Sequence, residues 1–376
     1  MNLLTLETRS LTLHRYPSTL DQNLQAWDAA DEYLLRELTK EQLAGLSGPI
    51  LILNDSFGAL ACGLADYQPV AISDSFLSQE ATRRNWQTNE LDEQHLHLQD
   101  VLAPLPTAPA LVIIKVPKTL AMLEYQLMRL RDVVTAETRI IAAGKAKEIH
   151  TSTLALFEQI LGETKTSLAW KKARLIYAKM ENKPVVANPY PNVWPLEDTD
   201  YQIANHANVF SRSSLDIGAR FMLQHLPRQK KGCIVDLGCG NGVLGLMALE
   251  YNPEAEILFL DESFMAVASS QLNVEKNRPQ DLARCQFTTG HSLNGIESNS
   301  TDVILCNPPF HQLQTITDEI AWQMFKDAKR CLKRGGELWI VGNRHLNYHI
   351  KLKRLFGGAE CIASNSKFVI LRTINR

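Results

Sequence analysis

Residues 233–249 read CIVDLGCGNGVLGLMAL, and this stretch decides the fold of the second half of the chain. A short apolar run reaches Asp236, a glycine turn follows, and a helix-like apolar segment begins after Gly242. Strand, glycine turn and helix in that order form the first unit of a doubly wound α/β sheet, whose glycines let the backbone approach a ligand. Many such turns carry glycines for steric reasons alone, so the stretch by itself leaves both a packing turn and a ligand site open.

A second apolar run supplies the next feature that a nucleotide site requires. Residues 257–261 read ILFLD and end in Asp261, roughly 20 residues after the glycine turn, where a carboxylate can accept hydrogen bonds from both hydroxyls of a ligand ribose. Asp261 could instead cap the helix predicted over 262–277, and the two roles are compatible. This pair of features favours a nucleotide-like ligand at the carboxyl edge of the sheet.

Four further strand-like runs follow, at residues 286–289, 302–306, 337–341 and 368–374. Helical patterns separate most of them, and this alternation predicts a mostly parallel sheet with helices on both faces. The predicted fold class is therefore α/β.

The segments VDLGCGNG, FLDES and NPPF together resemble the class I, Rossmann-like methyltransferases that use S-adenosylmethionine. The glycine spacing differs from the G-x-G-x-x-G of dinucleotide dehydrogenases. The resemblance covers most of residues 200–376 and implies S-adenosylmethionine as the cofactor, with its methionine part at the glycine turn and its ribose on the acid. No metal is implied. The cofactor-binding residues that it implies are Phe210, Asp236, Gly238, Gly240, Asn241, Gly242 and Asp261.

Residues 307–310 read NPPF and come directly after the strand predicted at 302–306. In the family that the chain resembles, this motif serves methyl acceptors whose nitrogen is conjugated to a ring or a carbonyl. The Asn307 side-chain oxygen and the Pro308 carbonyl would accept hydrogen bonds from such an amine, and Phe310 would stack on a flipped base. The motif leaves adenine N6, guanine N2 and glutamine N5 open as acceptors. The alternative without chemistry is a Pro-Pro strand stop with a buried phenylalanine.

Residues 206–226, HANVFSRSSLDIGARFMLQHL, resemble the start of the catalytic half in bacterial ribosomal RNA guanine-N2 methyltransferases, where Val-Phe-Ser lies close to the cofactor. Other stretches match the large-subunit (23S) branch best. The resemblance implies methylation of a guanine N2 amine in 23S ribosomal RNA. The alternatives are a 16S guanine-N2 enzyme, or a non-catalytic RNA-binding assembly factor with a fossil cofactor site. Ser211 could also be the N-cap of a helix that starts there.

The first half repeats the pattern of the second in the same order. PILILNDSFGALACGLA (49–65) parallels the glycine-turn stretch, AISDSF (71–76) parallels FLDESF, and LVIIKVPKT (111–119) parallels VILCNPPFH. Two tandem Rossmann-like domains are therefore expected, with the first one degenerate. Ile52, Asn54 and Ser56 stand opposite Asp236, Gly238 and Gly240, so we expect side chains to obstruct a cofactor there.

The degenerate copy is predicted to act as a scaffold or to hold RNA. Lys115 and Lys118 replace the acceptor groups of NPPF and would suit phosphate, although solvated lysines are an equal alternative. Nine lysines and arginines between residues 326 and 354, against two acids, form a second candidate phosphate surface or a solvated helix face.

Composition sets the remaining bounds. The 376 residues carry a net charge of −2, and we expect domains at 1–185 and 186–376 around a proline-rich linker. The seven cysteines form no CxxC pair, which is typical of reduced thiols. The sequence has no signal-peptide pattern and no apolar run of about 18 residues, so we expect a cytoplasmic protein that binds no membrane. We also expect a monomer that binds no metal.

Overall fold

The computed structural model describes residues 2–7, 9–21, 23–309 and 314–376, without the side chains of residues 314–317. The chain divides into two units, Met1–Pro189 and Tyr190–Arg376. Within the described residues, no helix combines the length and apolar character needed to cross a membrane.

The first unit contains a two-stranded hairpin and a seven-stranded sheet of order β5-β4-β3-β6-β7-β9-β8. Its strands are β1 Leu3–Thr5, β2 Ser10–Thr12, β3 Ile50–Leu53, β4 Val70–Ser73, β5 His97–Asp100, β6 Leu111–Lys115, β7 Arg139–Lys145, β8 Thr164–Thr166 and β9 Ala173–Ala178. Its α-helices are α1 Ala29–Glu37, α2 Lys40–Ala44, α3 Ala59–Gly63, α4 Phe76–Thr88, α5 Leu120–Arg131 and α6 Thr151–Ile160.

The second unit contains another hairpin and another seven-stranded sheet, of order β14-β13-β12-β15-β16-β18-β17. Its strands are β10 Asn192–Pro195, β11 Gln202–Asn205, β12 Gly232–Leu237, β13 Ala255–Asp261, β14 Cys285–Thr289, β15 Thr301–Cys306, β16 Leu332–Asn343, β17 Glu360–Ser364 and β18 Phe368–Ile374. Its α-helices are α7 Ile217–Leu223, α8 Val243–Tyr251, α9 Phe264–Asn277, α10 Gln314–Cys331 and α11 Tyr348–Phe356.

The two sheets have the same strand order when β3 is matched with β12 and the following strands in turn. In each sheet the first five strands are parallel, and the two at the far edge are joined antiparallel. The prediction of two tandem, mostly parallel α/β domains is confirmed. Part of the proline-rich segment, Asn192–Pro195, is ordered as strand β10, which pairs with β11 instead of forming a free linker.

The central strands of the second unit are apolar on both faces because helices cover both sides of the sheet. Ile234, Ile257 and Val303 pack on one face with side chains of α7, α8 and α9. Val235 and Ile304 point to the other face, where they pack with α10 and α11. This three-layer packing leaves the ends of the strands as the place where polar side chains can gather.

The turn after β3 keeps the backbone of its counterpart after β12. Asn54 has φ 67°, and Gly238, the equivalent residue of the second unit, has φ 69°. Asparagine is among the few residues that tolerate this left-handed region. The Asn54 side chain donates to the Lys115 carbonyl at 2.9 Å and pairs with the Gln126 amide at 2.9 Å and 2.8 Å. An amide pair therefore occupies the floor of the turn in the first unit.

The hypothesis that Lys115 binds phosphate is wrong. Lys115 is buried, and its Nζ lies 2.9 Å from Asp28 Oδ1 and 2.7 Å from Asp31 Oδ1. Burial alone would lower the pKa of Lys115, but the two carboxylates outweigh it and raise that pKa. The ammonium is thus committed to an internal ion pair, whereas Lys118 is exposed.

Candidate active site

The candidate residues of the second unit meet at the carboxyl ends of three neighbouring strands. Leu237, the last residue of β12, is in register with Leu260 of β13 and with Cys306 of β15. Gly238, Asp261 and Asn307 follow those positions in sequence, so the sheet brings them side by side. Strand order reverses at β12, because β13 lies on one side of it and β15 on the other, which is where ligands bind in open α/β sheets.

The three glycines of the turn serve different purposes. All have positive φ: 69° at Gly238, 54° at Gly240 and 79° at Gly242. A Cβ on Gly242 would lie 2.6 Å from Ser270 Oγ, so this glycine is needed for packing against α9. A Cβ on Gly240 would meet nothing within 4 Å. The space beside Gly240 is therefore open to a ligand that approaches the backbone.

Asp236 lies beneath the turn and is only 1% exposed. Its Oδ2 accepts a hydrogen bond from the Gly245 amide of α8 at 2.9 Å. Burial raises the pKa of Asp236 to about 7, and the nearby Asp261 charge adds to the effect. The structure thus places this predicted cofactor residue where it holds the turn against the helix, and not on the open side.

Asn241 is also engaged within the protein. Its Nδ2 donates to Asn205 Oδ1 at 3.0 Å, and its Oδ1 accepts from the Val243 amide at 3.3 Å. Its main-chain carbonyl accepts from Asn273 Nδ2 at 2.8 Å. This asparagine network ties the glycine turn to β11 and α9, and it fixes the turn before any ligand arrives.

Asp261 stands at the open end of β13. Its Oδ2 accepts from the Gly240 amide and its Oδ1 from the Ser263 amide, each at 3.0 Å. Burial raises the pKa of Asp261, while these N–H donors oppose the shift. The alternative role as a helix N-cap is wrong, because Ser263 caps α9 through the Ala266 amide. The carboxylate is held beside Gly240, with lone pairs left for further donors.

Phe210 lies on the segment that precedes α7 and is 50% exposed. Two residues earlier, the Asn208 amide donates to Met265 Sδ at 3.3 Å, which places this segment over the first turn of α9. The alternative in which Ser211 caps a helix is wrong, because α7 begins at Ile217 with Asp216 as its N-cap. Phe210 thus belongs to a segment that lies beside the first turn of α9.

Asn307 and Pro308 follow β15 directly, and Pro308 is buried while Asn307 is half-buried. Asn307 Nδ2 donates to Asp216 Oδ2 at 3.1 Å. The same Oδ2 accepts from the Ala219 amide at 2.8 Å. Phe310, the third predicted catalytic residue, lies outside the described residues.

Sequence reasoning missed the residues that hold the predicted ones in place. These are Asp216, Asn205 and Asn273, which contact Asn307 or Asn241. The only signal for Asp216 was a helix-capping pattern before IGARF, and for the asparagines there was none beyond their polarity. Among the described residues, no cluster of three or more potential metal ligands occurs.

Comparisons with known proteins agree with the division into two units. A family model described as the RLMG N-terminal domain matches residues 1–182, and one described as the methyltransferase small domain matches residues 200–372. Ribosomal RNA large subunit methyltransferase G of Pectobacterium atrosepticum is 60% identical over 375 residues, covering 100% of this chain and 98% of the relative. The protein of the same name from Aeromonas salmonicida is 62% identical, covering 97% of each chain.

The chain belongs to the ribosomal RNA large subunit methyltransferase G family. A solved structure of the T. thermophilus 16S rRNA N2 G1207 methyltransferase, in complex with AdoMet and guanosine, superposes with a TM-score of 0.75. It is 19% identical, and the match covers 100% of this chain and 97% of the other. At that identity the likeness concerns the fold, and it extends over both units. Membership of the family confirms the resemblance drawn from the motifs.

Proposed function

We propose that this chain transfers a methyl group from S-adenosylmethionine to the exocyclic N2 amine of a guanine in large-subunit (23S) ribosomal RNA. Curated relatives about as long as the chain carry the name of a large-subunit ribosomal RNA methyltransferase. The site offers what such a transfer requires: an open glycine turn, a carboxylate beside it, and an amide-proline corner on the adjacent strand.

The glycine turn and Asp261 fit S-adenosylmethionine. The free space beside Gly240 admits a ligand close to the backbone, and Asp261 offers carboxylate acceptors to the ribose hydroxyls. When bound, the cofactor supplies a sulfonium methyl group that is ready for transfer. Phe210 adds an aromatic face at the same end of the site. Asp236 and Asn241 act indirectly, since their side chains hold the turn.

Asn307 and Pro308 would orient the acceptor amine. The lone pair of a guanine N2 is delocalised into the ring, so the amine is a weak nucleophile until its N–H groups are held. The Asn307 side-chain oxygen and the Pro308 carbonyl can accept those N–H groups, which directs the lone pair towards the methyl. As positive charge develops on the nitrogen, both acceptors stabilise it more strongly, so the benefit falls on the transition state.

Cations near the same edge of the sheet are suited to RNA phosphates. Five of the nine cations between residues 326 and 354 bond within the second unit: Lys329, Arg330, Lys333, Arg344 and Lys351. Arg344 is exposed and follows β16, the parallel neighbour of β15, so it lies at the edge that carries Asn307. Because the Asn365 carbonyl that Arg344 contacts carries no net charge, Arg344 keeps its charge for a phosphate, and the exposed Lys353 is a second candidate.

The first unit acts as a scaffold or an RNA-holding module. Its turn is filled by the Asn54–Gln126 pair, and its Lys115 stands where Asn307 stands in the second unit. A lysine cannot accept a hydrogen bond from an amine. In this proposal the protein meets ribosomal RNA in the cytoplasm, and it acts as a monomer without a membrane or a metal.

The observation that carries the proposal is the position of Asn307, which Asp216 holds at the strand end next to the glycine turn. Replacing Asn307 with alanine should reduce methyl transfer roughly 100- to 1,000-fold, because an acceptor felt mainly in the transition state is lost. Binding of S-adenosylmethionine, measured by calorimetry, should stay unchanged. The assay uses ribosomal RNA from cells that lack this protein and maps N2-methylguanosine by mass spectrometry.

The exposed Asn23 of the first unit provides a matched control as Asn23→Ala, which should retain full activity. Full activity of the Asn307→Ala protein would contradict the mechanism. Methylation of 16S instead of 23S ribosomal RNA would favour the small-subunit alternative. A wild-type protein that binds RNA without methylating either would favour an assembly factor.

A further inference from the structure

Asn307 is held in one orientation by the carboxylate of Asp216. An asparagine side chain has a donor end and an acceptor end of nearly equal shape. Only the NH₂ end can face a carboxylate, since the carbonyl oxygen would be repelled by it. The 3.1 Å contact between Nδ2 and Asp216 Oδ2 therefore turns Asn307 Oδ1 away from the carboxylate.

Asp216 is itself fixed by the start of α7. Its Oδ2 accepts from the Ala219 amide at 2.8 Å, so the carboxylate caps the helix and holds the amide with the same atom. A Cβ on Gly218 would lie 3.0 Å from that oxygen and 3.7 Å from Asn307 Oδ1. The missing side chain at Gly218 thus leaves room for the capping carboxylate. Both features pre-organise the amide of Asn307 through contacts within the protein.

The first unit carries the same contact at the equivalent positions. Asp28 is the N-cap of α1, as Asp216 is of α7. Lys115 and Asn307 occupy equivalent positions. The last residue of β3 pairs with Ile114 and the last residue of β12 pairs with Cys306, and Lys115 and Asn307 are the residues that come next. Asp28 Oδ1 lies 2.9 Å from Lys115 Nζ. In both units a capping aspartate binds a donor at this corner, although the residue that donates has changed.

We propose that Asp216 is a positioning residue for methyl transfer: it fixes the amide of Asn307 so that Oδ1 is presented to the acceptor amine. This inference rests on the proposed function for its effect on the rate. The contact itself can be tested without any methyl transfer. In this proposal Asp216 acts on the reaction by holding Asn307, so its loss should affect methyl transfer through Asn307 alone.

The discriminating variant is Asp216→Ser. Serine still caps a helix but is too short to reach Asn307. It should lower kcat by about 10- to 100-fold, because a displaced acceptor no longer aligns the amine. KM for RNA and affinity for S-adenosylmethionine should change little. Asp216→Ala should lower kcat by the same factor and should also lower thermal stability, because it lacks a helix cap. Asp216→Asn keeps an oxygen at the same distance and should therefore retain most of kcat.

A double-mutant cycle separates positioning from a general structural defect. Asp216→Ser combined with Asn307→Ala should be no slower than Asn307→Ala alone, because the two residues act as one unit. Additive losses, or a wild-type kcat in Asp216→Ser, would overturn the proposal.

The second readout is the side-chain NH₂ group of Asn307 in ¹⁵N-asparagine-labelled protein, assigned by its absence in Asn307→Ala. Its hydrogens should exchange with solvent faster in Asp216→Ser than in the wild type. Equal exchange rates would refute the contact, even if the chosen RNA were not a substrate. If the Asn307 hydrogens exchange more slowly in the wild type than in Asp216→Ser but the wild type is inactive, the contact is supported and the proposed function is contradicted.

Discussion

The buried ion pair of the first unit gives a prediction whose size follows from the structure. Lys115 is 8% exposed and Asp31 4% exposed, and the ammonium lies within 2.9 Å of two carboxylates. Replacing Lys115 with methionine keeps the apolar stem but leaves both carboxylates without their cation. Breaking one side of such a buried pair costs about 3–5 kcal/mol of unfolding free energy. The loss should be largest at neutral pH and shrink in acid, where the carboxylates take up protons.

The assay must read each unit separately, because a two-unit chain need not unfold in one step. Hydrogen exchange in urea, followed by mass spectrometry, reports β6 for the first unit and β15 for the second. Lys115→Met should destabilise β6 and leave β15 unchanged. The exposed Lys118→Met is the matched control and should change the unfolding free energy by about 0.5 kcal/mol or less. Adding Asp28→Asn and Asp31→Asn should restore much of the loss, since the two carboxylates that paired with Lys115 are then neutral amides. If β6 is as stable in Lys115→Met as in Lys118→Met, the buried-pair reasoning is refuted.

Two further predictions concern the second unit. The pKa of Asp236 is raised to about 7 from 3.8, so the wild type should lose stability relative to Asp236→Asn as pH rises between those values, by on the order of 4 kcal/mol; parallel stability curves from pH 4 to 8 by the same exchange assay would contradict this. Gly240→Ala should abolish S-adenosylmethionine binding in calorimetry while costing only about 1–2 kcal/mol for its positive φ. Gly242→Ala should destabilise the unit by more, because its Cβ would meet Ser270 at 2.6 Å. If Gly240→Ala were the less stable variant, the assignment of Gly242 to packing and of Gly240 to ligand space would be wrong.

The fold could be predicted from the sequence because strands and glycine turns have recognisable local sequence patterns. The run from Ile234 to Gly242 and the acid at Asp261 each follow a buried strand, and parallel strands end at a common edge. The internal repeat then predicted the second sheet, whose strand order matches the first. These features depend on residues close together in the chain, so spacing alone was sufficient to predict them.

The contacts between distant residues could not be predicted in the same way. Asp216 and Asn307 are separated by 91 positions, and Lys115 and Asp31 by 84. Sequence spacing shows that Lys115 replaces an amide, but it does not show that a helix cap supplies carboxylates to neutralise the lysine. For this reason the sequence suggests a phosphate ligand or a solvated lysine at position 115, whereas the structure pairs its charge with two carboxylates inside the unit.

Comparison of the two units also indicates that the acid bonded to the helix amide has a structural role and does not depend on a cofactor. In the second unit, Asp236 at the strand end accepts the Gly245 amide at 2.9 Å. In the first unit, Ile52 takes that strand position, and Asp55 from the turn accepts the equivalent Ala61 amide, also at 2.9 Å. A unit with a filled turn has thus kept a carboxylate on this helix amide while changing the residue that supplies it. The contact therefore serves the junction of turn and helix, whether or not a cofactor binds. The chemical differences between the two units at the carboxyl edge of the sheet include Gly240 against Ser56 and Asn307 against Lys115.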